Sequence, residues 1–156
     1  MILKKWEELP DELRTDAVRP YYEQLKNKRF SLLCKRLFDI VVSAVMLLIL
    51  SPVFLILAIA IKLEDGGPVF YKQKRMTRHG REFDILKFRS MIVDAEKEGH
   101  SIPATGKDPR ITKVGKFIRA TRLDEIPQIL NILKGDMSIV GPRPERKVIA
   151  DEYCKD

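Results

Sequence analysis

The sequence predicts a mainly helical α+β fold, in which a proline-broken apolar helix is joined to a small polar domain with a short β-hairpin. Three observations carry that expectation. A charge-free run, IVVSAVMLLILSPVFLILAIAI from Ile40 to Ile61, interrupts an otherwise charged chain. Two segments, VFYKQKR and REFDILKF, read as short strands joined through Met76 to Gly80, with His79-Gly80 at the turn. Further on, Val114, Phe117, Ile118, Leu123, Ile126, Ile129, Leu130 and Leu133 recur at helical spacing, interrupted near Thr121 to Pro127 and stopped at Gly135.

The apolar run decides the class of protein. Of its 22 residues, 15 are Ile, Leu, Val or Phe, each favouring lipid by about 0.3–0.6 kcal/mol. A chain of 156 residues could hardly cover such a helix on all sides. As one straight helix it would reach about 33 Å, enough to cross a bilayer core. Ser51-Pro52 falls in its middle, however, and an internal proline removes a backbone donor and clashes with the preceding turn. The halves on either side would span only about 18 Å and about 14 Å. Cationic flanks favour the cytoplasm, and here they nearly balance. Lys26, Lys28, Arg29, Lys35 and Arg36 precede the run; Lys62, Lys72, Lys74, Arg75, Arg78 and Arg81 follow it. Balanced flanks favour a re-entrant hairpin over a Pro-kinked spanning helix. Asp39, at the mouth of the run, is placed to cap the first half or to pair with Arg36.

Three regions follow from this reading: a charged, amphipathic extension over 1–35, the re-entrant helix over 36–62, and a cytoplasmic polar region over 63–156, where any catalytic residues would have to lie. The extension opens on no apolar core, which argues against a cleaved signal peptide. Its Trp6, Leu9, Leu13, Tyr21, Tyr22 and Leu25 suit one or two helices, either on a membrane surface or simply solvated. In the third region, Glu64-Asp65-Gly66-Gly67-Pro68 marks the exit from the apolar run. Residues 91–99 carry helix formers, and Ser101 to Asp108 reads as a loop.

The balance of 29 Lys and Arg against 22 Asp and Glu favours anionic partners. Nucleic acid is disfavoured, because no aromatic-basic platform is present. Gly106-Lys107 runs into Asp108 and lacks the earlier glycine of a phosphate loop, and there is no GxGxxG. His79 and His100 have no zinc-ligand partners at useful spacing, and Cys34 and Cys154 fit neither a paired nor a metal pattern.

What remains is a carboxylate pair and several cations. Asp124-Glu125 precedes Pro127, expected in a first helical turn. Two adjacent carboxylates so placed suit Mg2+ shared with a pyrophosphate, and one of them can attack phosphorus to form an acyl-phosphate. The plain alternative is helix capping. In Gly141-Pro142-Arg143-Pro144 two prolines stiffen a turn around an arginine, the residue suited to forked phosphate binding. Arg119, Arg122, Lys87, Gln73 and Arg75 are further candidates, each of which also reads as part of a solvated basic face.

Three blocks carry a resemblance: KRLFDIVVSAVMLLILSPVFLILAIAIKLEDGGPVFYKQKR, FDILKFRSM and GKFIRATRLDEIPQILNILKGDMSIVGPRPE. Over roughly residues 35–145 the chain resembles the monotopic phosphoglycosyl transferases, or bacterial sugar transferase family. The resemblance implies a re-entrant helix broken at Ser51-Pro52, on the cytoplasmic face of the bacterial inner membrane. It implies that Asp124 attacks the β-phosphate of a UDP-sugar and releases UMP, and that undecaprenyl phosphate then takes the phosphosugar from the aspartate. Glu125 would help to hold Mg2+, and Lys87, Arg119 and Arg143 fall on phosphate-binding positions. The product, undecaprenyl-diphosphate-sugar, opens bacterial glycan assembly: exopolysaccharide, O-antigen, capsule or glycoprotein. A homodimer is compatible with this reading. Family members continue past the GPRP turn through a Pro-Gly-Ile/Leu-Thr-Gly segment, whereas this sequence ends at Asp156. The expectation is therefore a family member without the C-terminal part; the alternative is a non-catalytic membrane-associated remnant or half of a split transferase.

Overall fold

A computed structural model describes residues 3, 5–77, 81–93, 95, 108–147 and 149. After short 3-10 turns at Trp6–Glu8 and Asp11–Leu13 come α1 (Arg19–Lys26) and α2 (Arg29–Asp65). The hairpin β1 (Phe70–Met76) and β2 (Glu82–Phe88) follows, then α3 (Lys113–Ala120), a 3-10 turn at Leu123–Glu125, and α4 (Gln128–Lys134). The strands lie within a residue of the segments expected from the sequence. Their turn, with His79, lies outside the described residues, as do His100, Cys154 and the loop from Ser101.

The expected break in the apolar helix is not seen as a loss of helical structure: α2 runs through Pro52 for 37 residues. The reason is local. Pro52 has no N–H to give to the carbonyl four residues back, that of Leu48. Ser51 supplies the missing donor, its hydroxyl bonding the Leu48 oxygen at 2.8 Å. The Ser-Pro pair thus carries its own repair, of the kind that allows proline inside apolar helices.

Little of that helix is covered. Only 11% of its apolar window is buried within the protein, and Leu48, Ile49, Leu55, Ile56 and Leu63 stand exposed. This excludes the ordinary core helix of a soluble domain.

The chain divides into two compact units, one made of residues 1–46, 73–85 and 129–156, the other of 47–72 and 86–128. In the second unit a single stripe of α2 is buried. Leu57 and Ile61 pack with Phe88 and Ile118, flanked by Val53, Phe54, Val69, Val114, Leu123 and Ile126. Positions 53, 57 and 61 are one helical turn apart, so they line one face. Phe88 meets Phe54 edge-on at 5.2 Å and stacks on Phe70 at 5.5 Å.

The polar end of α2 also organises this unit. Glu64 accepts from the backbone N–H of Lys113 at 2.7 Å, supplying a carboxylate to the start of α3. Asp65 pairs with the buried Arg89. Thr112 caps α3 through its own side chain, accepting from Gly115 at 2.9 Å. Gly115 is required there, because a Cβ would strike the Ser90 carbonyl. Of the helix formers noted over 91–99, only 91–93 and 95 are among the described residues, and there Met91 forms an antiparallel bridge with Ile111. Tertiary pairing overrides local propensity at this point.

In the first unit Tyr22 of α1 is buried against Trp6, with ring centroids 5.0 Å apart. Buried Asn131 of α4 donates to the Asp84 carbonyl at 2.8 Å. Gly135 ends α4 at φ +96°, a left-handed stop that glycine adopts without strain. Cys34 is exposed.

Candidate active site

The second unit gathers Lys87, Arg119, Asp124 and Glu125. Strand alternation turns Phe88 into the core and Lys87 to the opposite face, where its Nζ donates to Glu125 Oε1 at 3.1 Å. Asp124 and Glu125 occupy the 3-10 turn between α3 and α4. They are therefore not in the first turn of α4, and Pro127 directly precedes that helix rather than lying inside it. Arg122 reverses the chain into this turn at φ 60°, a left-handed conformation that costs a non-glycine residue roughly 1–2 kcal/mol. Backbone strain of this kind collects at functional sites. Nothing in the sequence signalled it.

Asp124 is the distinctive group. Its Oδ1 is buried and accepts no hydrogen bond. Burial pushes its carboxyl above the usual range; the Lys87 charge opposes this, while neighbouring Glu125 adds to it. Arg119 acts in the same sense as Lys87, and its charge also lowers the Asp108 carboxyl slightly. Asp108 itself is gripped by Arg110 through Nε at 2.9 Å and Nη2 at 2.6 Å, and these bonds hold its carboxyl down to about 2. An acceptor oxygen without a partner, facing the opposing charges of Lys87 and Arg119, suits attack on an electrophile better than a role in capping.

The same oxygens fit Mg2+. No group of three or more His, Cys, Asp or Glu gathers among the described residues. Magnesium needs none, since it takes one or two carboxylates and completes its shell with water and substrate phosphate.

Gln73, Arg75 and Arg143 belong to the first unit. Arg75 donates to Gln73 Oε1 at 2.9 Å and to the Pro144 carbonyl at 3.3 Å, and it pairs with Glu145 at 3.6 Å. The Met76 N–H bonds the Glu145 carbonyl at 2.9 Å. Arg75 and the end of β1 thus hold the GPRP turn from its C-terminal side. Arg143 itself is exposed and lines a cavity of about 500 Å3, together with Asp39, Asp136, Met137 and Val140. Several polar residues here escaped sequence reasoning, because their partners are distant in the chain. Buried Asp136 binds Arg81 at 2.7 Å. Arg36 does not pair with Asp39; its partners are the carbonyls at the end of α4.

Two carboxylates hemmed by a lysine and an arginine, one with a bare oxygen, are the equipment of a protein that handles phosphate esters. The chain belongs to the bacterial sugar transferase family, whose model matches residues 30–156. A Bacillus subtilis relative, provisionally named an undecaprenyl-phosphate N-acetylgalactosaminyl 1-phosphate transferase, is 42% identical over 91% of this chain and 78% of its own length. The Klebsiella pneumoniae UDP-glucose:undecaprenyl-phosphate glucose-1-phosphate transferase is 42% identical over 92% of this chain. The Escherichia coli protein of the same name is 47% identical over 78% of it. The chain spans only 30% and 26% of the length of these last two.

Proposed function

We propose that the chain transfers a sugar-1-phosphate from a UDP-sugar to undecaprenyl phosphate, with Asp124 as the nucleophile. The observation that carries the reading is the buried, unpartnered Asp124 oxygen within reach of the Lys87 and Arg119 charges. In the first step an Asp124 oxygen bonds the β-phosphorus of the donor. The bond from that phosphorus to the bridging oxygen breaks, and its electrons leave with UMP. In the second step a phosphate oxygen of the lipid bonds the same phosphorus, and the Asp124 carboxylate departs. Undecaprenyl-diphosphate-sugar results. Each step is a substitution at one phosphorus, so no redox partner is required. The covalent stage lets a water-soluble donor and a lipid acceptor use one site in turn.

Lys87 and Arg119 counter the burial that raises the Asp124 carboxyl and meet the phosphate charge, and Glu125 orients Lys87. Arg143, held between two prolines, offers a forked contact to phosphate. Magnesium, when bound by Asp124 and Glu125, would offset the charge of the pyrophosphate. UMP release from a panel of UDP-sugars, with magnesium and undecaprenyl phosphate supplied, tests the reading. A folded chain inert toward every donor would overturn it and favour the non-catalytic remnant.

The exposed aliphatic face of α2 supports seating in the bacterial inner membrane from the cytoplasmic side. The balanced cationic flanks support a re-entrant course, which a proline bend permits. Single cysteines near Lys28 and near Lys72, introduced after removing Cys34 and Cys154, are expected both to resist an impermeant thiol reagent in intact cells. Labelling at one position alone would indicate a helix that spans the bilayer.

A further inference from the structure

The N-terminal half of α2 does more than supply apolar surface. Lys35, Arg36 and Asp39 on this half are turned toward α4 and the segment that leads into the GPRP turn of the same unit. The Arg36 guanidinium donates to the carbonyls of Ile132 at 2.6 Å and Leu133 at 2.7 Å, closing the end of α4. Asp39, 2% exposed, accepts from the Ser138 hydroxyl at 2.7 Å and from the Ile139 N–H at 3.2 Å. Lys35 balances that carboxylate at 3.4 Å and also contacts the Ser138 hydroxyl.

A carboxylate buried at the start of an apolar helix costs stability unless it is fully paired. Pairing alone would be met by Lys35. Here the carboxylate also fixes a backbone N–H and a hydroxyl four and five residues before Arg143. Ser138 also donates to the Val140 carbonyl at 3.1 Å, and Pro142 and Pro144 lock φ on either side of Arg143, so Gly141 is the one permissive residue between the anchored segment and that turn. Arg75 and Met76 hold the other flank through Pro144 and Glu145.

We infer that Asp39 is a positioning residue, which anchors Ser138 and Ile139 and thereby sets the direction of Arg143. The inference deepens the proposed function, since it rests on Arg143 as a phosphate contact. Hydrogen exchange of the detergent-solubilised full chain tests the anchor without any turnover. In Asp39→Ala the amides from Ser138 to Arg143 are expected to exchange at least about tenfold faster, with Asp39→Asn in between and peptides from α3 unchanged. A double-mutant cycle then tests the consequence. Asp39→Ala is expected to lower kcat/KM for the UDP-sugar about tenfold or more, chiefly through KM, and to add almost nothing to Arg143→Ala. Unchanged exchange in Asp39→Ala, or a penalty of the same size with and without Arg143, would overturn the inference. If the wild-type chain turns over no donor, the proposed function fails, while the exchange result still judges the anchor by itself.

Discussion

Asp124→Asn is expected to lower UMP release by at least about 10⁴-fold, the scale on which covalent catalysis is lost when its nucleophile is removed. The amide preserves the shape of the side chain, so the surrounding turn should persist and donor binding should survive. What disappears is the basic oxygen. Glu125→Gln should cost less, about 10²–10³-fold, because Lys87 loses its ionic partner while the attacking atom remains. Rates of UMP formation under saturating donor decide the matter. An asparagine variant within tenfold of wild type would mean that the aspartate only caps the turn before α4.

Phe88→Ala is expected to destabilise the chain by about 3–5 kcal/mol, the usual cost of emptying a buried aromatic site. Phe88 is 1% exposed and joins rings from α2 and β1 with Ile118 of α3. Few neighbours could shift to fill the space, since each is fixed to a separate element. Domains are stable by only about 5–15 kcal/mol, so this single change should leave a visibly weakened fold. Denaturant titration in detergent measures it, with Phe88→Leu as the milder control. Lys87 is its neighbour in sequence, so a loosened Phe88 should also blunt the Lys87–Glu125 contact. Activity of the alanine variant should fall and should recover partly on cooling. A loss below 1 kcal/mol would show that the core is centred elsewhere.

The elements that the sequence made legible are those specified by local pattern. The segments VFYKQKR and REFDILKF match β1 and β2 to within a residue, the interrupted helical spacing from Val114 to Leu133 matches α3 and α4, and Gly135 does end α4 at positive φ. The carboxylate pair was visible as well, although its 3-10 turn was not. The residues that connect distant segments were hidden. Asp39 meets Ser138, Arg36 meets Ile132 and Leu133, and Glu64 meets Lys113. No spacing rule encodes such pairs, because their partners become neighbours only when the chain folds. Met91 shows the converse: its surroundings favour helix, yet pairing with Ile111 prevails. Pro52 stands between these cases. The cost of its missing N–H was readable, but the remedy offered by Ser51 depended on a rotamer.

The central claim is that a phosphosugar resides on Asp124 between the two half-reactions. Mass spectrometry of the folded chain, quenched in acid after a pulse of UDP-sugar without lipid acceptor, addresses it directly. The account predicts a mass gain of one phosphosugar, located on the peptide that contains Asp124 and discharged by undecaprenyl phosphate. A chain that turns over donor and acceptor together, yet never carries that mass at Asp124, would contradict it.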